Sequence, residues 1–93
     1  MIYFITALNL EKDRARCFGY VEDKATAFYL LARNHWDINE AGYYPEAVVE
    51  WIGQGIHPIP EERWFFHWDQ AANGYVLSDC EPPEAHDTIS FAF

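Results

Sequence analysis

Apolar and polar residues follow two different rhythms along this chain. Residues 2–8, Ile-Tyr-Phe-Ile-Thr-Ala-Leu, are apolar on both alternating faces and rich in β-branched and aromatic side chains, which predicts a strand buried within a sheet. A charged and polar stretch over 9–15 separates it from a second strand pattern over 16–21, and the two are predicted to pair as an antiparallel hairpin. The rhythm then changes. Ala25, Ala27, Phe28, Leu31, Ala32 and His35 recur at helical spacing, with Glu22 and Asp23 supplying an N-cap and an acidic first turn. This predicts one helix over 24–36, ending where Asn, Asp and Gly accumulate between 34 and 42.

Residues 43–52 fit either period, because Ala47, Val48, Trp51 and Ile52 would also line a helix face. The β-forming side chains of Tyr44, Val48, Val49, Trp51 and Ile52, closed by Gly53 and Gly55, favour a strand. Pro45 inside it would break regular pairing, which predicts an edge position or a bulge. His57-Pro58 and Ile59-Pro60 mark an extended connection. Residues 63–69 and 74–79 then flank a short loop over 70–73, in which Asn73-Gly74 suits positive φ, and read as a β-hairpin. Trp64, Phe66 and Trp68 fall on one of its faces; Arg63, Phe65, His67 and Asp69 fall on the other. Pro82-Pro83 ends the sheet pattern, and residues 88–93 are predicted to return as a short final strand. The expectation is an α+β fold: an antiparallel sheet of about five strands with one helix packed on it, in the order ββαβββ, as a single domain over 1–93.

Composition sharpens this picture in two ways. Ninety-three residues supply one core, and 51% hydrophobic with 18% aromatic content excludes intrinsic disorder. Six Lys and Arg against fifteen Asp and Glu give a formal charge of −9, which disfavours binding to nucleic-acid phosphates and to anionic membranes. The bland explanation of that charge is solubility; the sharper one is a basic partner or mimicry of nucleic acid. Cys17 and Cys80 make no disulfide framework and are expected as free thiols. The opening apolar run has no basic flank and is too short for a signal or a membrane span, so a cytoplasmic location is expected.

Candidate chemistry is sparse. His35, His57, His67 and His86 lack metal-ligand spacing, and the His67/Asp69 pair on one strand face is a common chance pattern, so no metal or cofactor is predicted. His35 is expected to pack at the helix end. Neither cysteine has a base arranged beside it, and Gly53-Gln-Gly55 lacks the Gly-Lys-Ser continuation of a phosphate loop. Glu46 and Glu50 share a strand face but are expected on a solvated edge rather than in acid/base work. The chain is therefore read as non-enzymatic.

The aromatics carry more weight. Four Trp, six Tyr and seven Phe make seventeen rings, more than one small core needs, and Tyr43, Tyr44, Trp51, Phe65 and Tyr75 are expected to be partly exposed. The competing explanation is that rings cap a sheet face left open by a single helix. Set among Asp37, Glu40, Glu46, Glu50, Asp69 and Asp79, exposed rings would suit an Arg- or Lys-rich protein, since Arg stacks on rings while pairing with carboxylates. The expected binding residues are Asp37, Glu40, Tyr43, Tyr44, Glu46, Glu50, Trp51, Phe65, Asp69 and Tyr75.

The sequence resembles a group of small bacterial and phage proteins. The matching features are Ile5-Thr-Ala-Leu8, Gly19-Tyr20, Asn34-x-x-Asp37-x-x-Glu40 leading into Tyr43-Tyr44, Val48-Val-Glu50, Gly55-Ile56 and Trp64-Phe65-x-x-Trp68. The resemblance implies no activity. The polar trio Asn34, Asp37 and Glu40 is expected to cap the helix end and brace the next strand. In size and charge alone the chain is also similar to acidic phage inhibitors of host defence nucleases, some of which imitate nucleic acid. These readings lead to an expected non-enzymatic protein-binding module, a phage or mobile-element inhibitor of the anti-defence type, docking on a basic surface of a nucleic-acid-handling protein. The alternative is a nucleotide- or metabolite-binding domain whose aromatic side chains line a pocket between helix and sheet.

Overall fold

The first two segments pair as their patterns predict. β1 (Ile2–Asn9) and β2 (Arg14–Val21) form an antiparallel hairpin with a register shift opposite Ile5 and Thr6, where Phe18 becomes the extra residue of a bulge. The computed structural model describes residues 2–52 and 62–79. Those residues complete the sheet with β3 (Glu46–Ile52), β4 (Glu62–Asp69) and β5 (Gly74–Leu77). All neighbours are antiparallel, in the order β2-β1-β3-β4-β5. The predicted turn at 53–55, the connection at 56–60 and the strand at 88–93 lie outside the described residues, as do His57, Cys80 and His86.

One α-helix, α1 (Lys24–Ala32), packs on the sheet. Asp23 is its N-cap, accepting from the Thr26 backbone N–H at 2.9 Å, as its position before a run of helix formers requires. The helix ends four residues before the predicted limit of 36. Arg33 is the C-cap and Asn34 turns left-handed at φ 47°, a conformation that asparagine adopts at low cost and that stops the helical ladder. A short 3₁₀ turn, His35–Asp37, follows. His35 is therefore exposed, its ring edge-on to Trp36 at 4.2 Å, rather than packed at the helix end.

The face of the sheet toward α1 carries Ile5, Ala7, Ala47, Val49, Phe66 and Tyr75, all buried with Ala27 and Leu31 of the helix and Ile38 beyond it. Phe28 stands edge-on to Phe66 at 4.9 Å and to Trp64 at 5.8 Å, so rings fill the helix–sheet interface. Residues of the opposite face, Leu8, Val48 and Phe65, form a second buried cluster. The alternation predicted for the β4 hairpin holds, with Trp64, Phe66 and Trp68 toward the helix and Phe65 away from it. Pro45 sits immediately before β3, which lies centrally between β1 and β4, so neither a bulge nor an edge is needed. Its carbonyl accepts from the Trp68 N–H at 2.8 Å.

Candidate functional site

The chain leaving α1 does not run straight into β3. Between 34 and 42 it makes a string of tight turns in which Asn34, Trp36, Asp37, Glu40, Ala41 and Gly42 all have positive φ. Five of these six carry a side chain, and each such residue costs on the order of 1 kcal/mol that surrounding structure must offset. The offset is visible. The Asn39 backbone N–H donates to Asn34 Oδ1 at 2.9 Å, and the Asn34 amide returns a bond to Asn39 Oδ1 at 3.0 Å. Tyr44 N–H donates to the Asn39 carbonyl at 3.0 Å, and Ile38 is buried beneath the turns. Asn34 thus ends the helix as expected, but it braces its own loop rather than the following strand.

The sequence order of the strands gathers this loop with other elements at one end of the sheet. There β1 finishes at Asn9, β3 starts at Glu46 and β4 reaches Asp69. Asn9 donates its side-chain N–H to the Tyr43 carbonyl at 2.7 Å, and the buried Tyr75 hydroxyl donates to the Tyr44 carbonyl at 2.6 Å. Burial, and then the negative charges of Glu46 and Asp37, push the Tyr75 hydroxyl's pKa above its ordinary value. Glu40 pairs with Arg16 of β2 at 3.5 Å, both side chains about half exposed, a contact of small energetic value.

Seven of the ten expected binding residues, Asp37, Glu40, Tyr43, Tyr44, Glu46, Asp69 and Tyr75, therefore meet at this end, but they do not present one surface. Asp37 and Glu40 are exposed and Tyr43 is 37% exposed. Tyr44 and Tyr75 are buried, contrary to the exposure expected of them, because their backbone and hydroxyl groups hold the loop to β5. Asp69 braces the β4–β5 turn, accepting from the Ala71 N–H at 2.9 Å and the Ala72 N–H at 3.3 Å. Phe65 is also buried, in the second cluster. Trp51 is half-buried near the other end, stacked against Tyr3 at 6.5 Å.

Glu50 departs furthest from expectation. Instead of a solvated edge it occupies the second sheet face at 0% exposure, with the Arg63 Nε 3.7 Å from its carboxylate. Glu46 shares that face, as the strand reading implied, and stands opposite His67, whose Nδ1 lies 2.9 Å from Ser78 Oγ. Cys17 is exposed on β2 with a free thiol.

Sequence reasoning missed the largest exposed ring. Trp36 is 74% exposed, more than any other large hydrophobic among the described residues, and it sits on left-handed backbone at φ 56° beside Asp37. The available signal was its setting: a lone aromatic among Arg33, Asn34, His35 and Asp37 has no apolar companions with which to enter a core. The acidic residues are not confined to this end, because Glu22, Asp23, Glu62 and Asp79 are exposed toward the other. Among the described residues no cluster of His, Cys, Asp and Glu is placed to hold a metal ion, and no helix is long and apolar enough to cross a membrane.

The Tyr75 bond gives a direct check on how the loop is held. Tyr75→Phe is expected to cost about 1–1.5 kcal/mol near neutral pH, read by urea unfolding. The raised folded pKa adds a sign: wild-type stability falls as pH rises past the ordinary tyrosine value of 10.0, where the unfolded hydroxyl ionises. The Phe variant lacks that term, so the gap between the two proteins narrows above this pH. A gap that stays constant would count against the buried, proton-retaining hydroxyl. Comparison with protein-family models, with curated proteins and with solved structures finds no match to the chain.

Proposed function

We propose that the chain is a small acidic protein-binding module that docks through the 34–43 loop onto a basic surface of a nucleic-acid-handling protein, as a mobile-element inhibitor of host defence would. The observation that carries this reading is Trp36. A large ring held 74% exposed on left-handed backbone loses both burial and conformational ease, and a contact with another molecule gives it a use. Asp37 next to it, and the exposed Glu40 and Tyr43 further along the same loop, are of the kinds that engage cationic side chains, as Arg16 on Glu40 at 3.5 Å and Lys12 over the Tyr43 ring at 5.4 Å already do within the chain. The overall charge of −9 would speed encounter with a basic partner. Acidic residues at both ends of the sheet lend docking by this loop more support than imitation of a phosphate backbone along one face. The rival pocket between helix and sheet is disfavoured by the rings that fill it.

Trp36→Gly separates stability from binding. Glycine removes the side-chain penalty at φ 56°, so the variant is expected to gain about 1 kcal/mol or to break even. Affinity capture from a bacterial host extract should recover one basic nucleic-acid-handling protein at low salt, lose it at high salt, and lose it with Trp36→Gly at any salt. Undiminished capture by the variant, or no basic protein at low salt, would refute docking through this loop.

A further inference from the structure

Cations are scarce in this chain, and most of them rest on rings. Of the six Lys and Arg, Lys12, Arg16, Lys24 and Arg33 each stand over an aromatic ring. Lys24 alone stands over two: its Nζ lies 4.5 Å from the Trp64 ring centroid and 5.4 Å from that of Phe28. The two rings meet at 72°, so the ammonium sits in a corner with an aromatic wall on each side. Tyr3 continues the Trp64 wall at 6.2 Å, and Trp51 stacks on Tyr3. Lys24 is exposed while Tyr3, Phe28 and Trp64 are half-buried, which places the corner on the rim of the filled helix–sheet interface.

Lys24 directly follows Glu22 and Asp23, yet among the described residues it forms no ion pair with either or with any other carboxylate. In a chain with fifteen acidic side chains, its ammonium rests on rings instead. A primary ammonium is poorly matched to that position, because its three N–H donors need partners that ring faces supply only weakly. A quaternary ammonium has no N–H to satisfy and spreads its charge over methyl groups that pack on each ring, the chemistry that aromatic cages recognise. Charge around the corner favours a cation. Glu22 and Asp23 precede it, Glu62 shares the Trp64 face of β4, and these three exposed carboxylates outweigh the partial positive charge at the start of α1. We infer that the corner of Phe28 and Trp64, continued by Tyr3, is a binding site for a quaternary ammonium group, and that Lys24 is the chain's own occupant, displaced when such a group arrives. The site lies at the start of α1, whereas the Trp36 loop follows its end, and it does not depend on the docking role of that loop.

The probe is tetramethylammonium chloride, titrated into the isotope-labelled full chain while the indole N–H signals of its four Trp are followed by NMR, with sodium chloride as the ionic-strength control. The Trp64 signal, assigned by its loss in Trp64→Phe, should shift saturably with a dissociation constant on the order of millimolar, as a few cation–ring contacts supply. Lys24→Ala, an exposed change that leaves the Asp23 cap in place, should bind about tenfold more tightly because the intramolecular competitor is gone. Tert-butanol, similar in size but uncharged, should bind at least about tenfold more weakly than tetramethylammonium. Choline and a peptide bearing trimethyl-lysine, compared on Lys24→Ala, distinguish a free amine from a modified protein as the source of the group, by which of them binds more tightly. No saturable Trp64 shift in Lys24→Ala up to about 50 mM probe, equal binding of tert-butanol, or the same affinity with and without Lys24 overturns the inference.

Discussion

Arg63→Met is expected to lower the unfolding free energy by about 3–5 kcal/mol, the loss typical of removing one member of a buried ion pair. Glu50 is completely buried and the Arg63 side chain is 15% exposed, with Nε and Oε2 3.7 Å apart across the β3–β4 ladder. Val48 and Phe65, buried neighbours on the same face, keep the local dielectric low. Methionine preserves much of the arginine stem's volume, so the change isolates the charge. Glu50 then keeps a carboxylate, desolvated in place, without this countercharge. Replacing both residues, Glu50→Leu with Arg63→Met, should regain most of the loss, because apolar residues of similar volume fill such a site at little or no net cost. Urea titrations of the two proteins decide it. If the single variant loses less than about 1 kcal/mol, in the range of an exposed pair, the pair does not work as a buried one.

The contrast between Glu50 and the rest of its strand shows what was legible in the sequence. β1, the two hairpins and the start of α1 follow from alternation, turn residues and the Asp23 cap, all written within a few residues of where they act. These local signals yield the antiparallel α+β architecture and even the two faces of β4. They do not report whether a second face of the sheet is covered. Glu46, Val48, Glu50 and Ile52 alternate like a half-solvated strand, yet Val48, Glu50 and Ile52 are buried. The same blindness made Phe65 look like a surplus ring, whereas Tyr44 and Tyr75 are buried on the helix side, where the Tyr75 hydroxyl bonds the Tyr44 carbonyl across a sequence distance that no local pattern reports.

Helix termination and the loop after it were hidden for a different reason. The apolar spacing through His35 continues past the point where Asn34 turns left-handed, and a single dihedral outweighs a weak period. The polar trio at 34, 37 and 40 was expected to cap the helix end and brace the next strand. Its partners, however, are Asn39 and Arg16, and the exposed aromatic it displays is Trp36. Attention to β-forming rings drew the expected site toward Trp51, which the antiparallel path of β3 carries to the far end of the sheet from Tyr43.

Gly74→Ala is expected to cost about 2–3 kcal/mol, the upper range for forcing extra volume into packed structure. The sequence pairs Asn73 with Gly74 as a turn that needs positive φ, but Asn73 alone takes that conformation, at φ 53°. Gly74 is already the first residue of β5, and its role is to let α1 approach. A methyl group there would overlap the carbonyl oxygen of Ala32 and lie 2.7 Å from its carbonyl carbon. Backbone atoms cannot swing aside as a flexible side chain does, so the last turn of the helix must move. Ala32 precedes Arg33 and Asn34, the two residues from which the left-handed loop starts, so the displacement carries into Trp36. The variant should therefore lose partner capture as well as stability, although Gly74 is buried and touches no partner. Asn73→Gly, which keeps the turn and leaves the helix contact alone, is the matched control and should shift stability by no more than about 0.5 kcal/mol. Equal stability of Gly74→Ala and wild type in thermal unfolding would mean that the helix does not rest on β5 at this point.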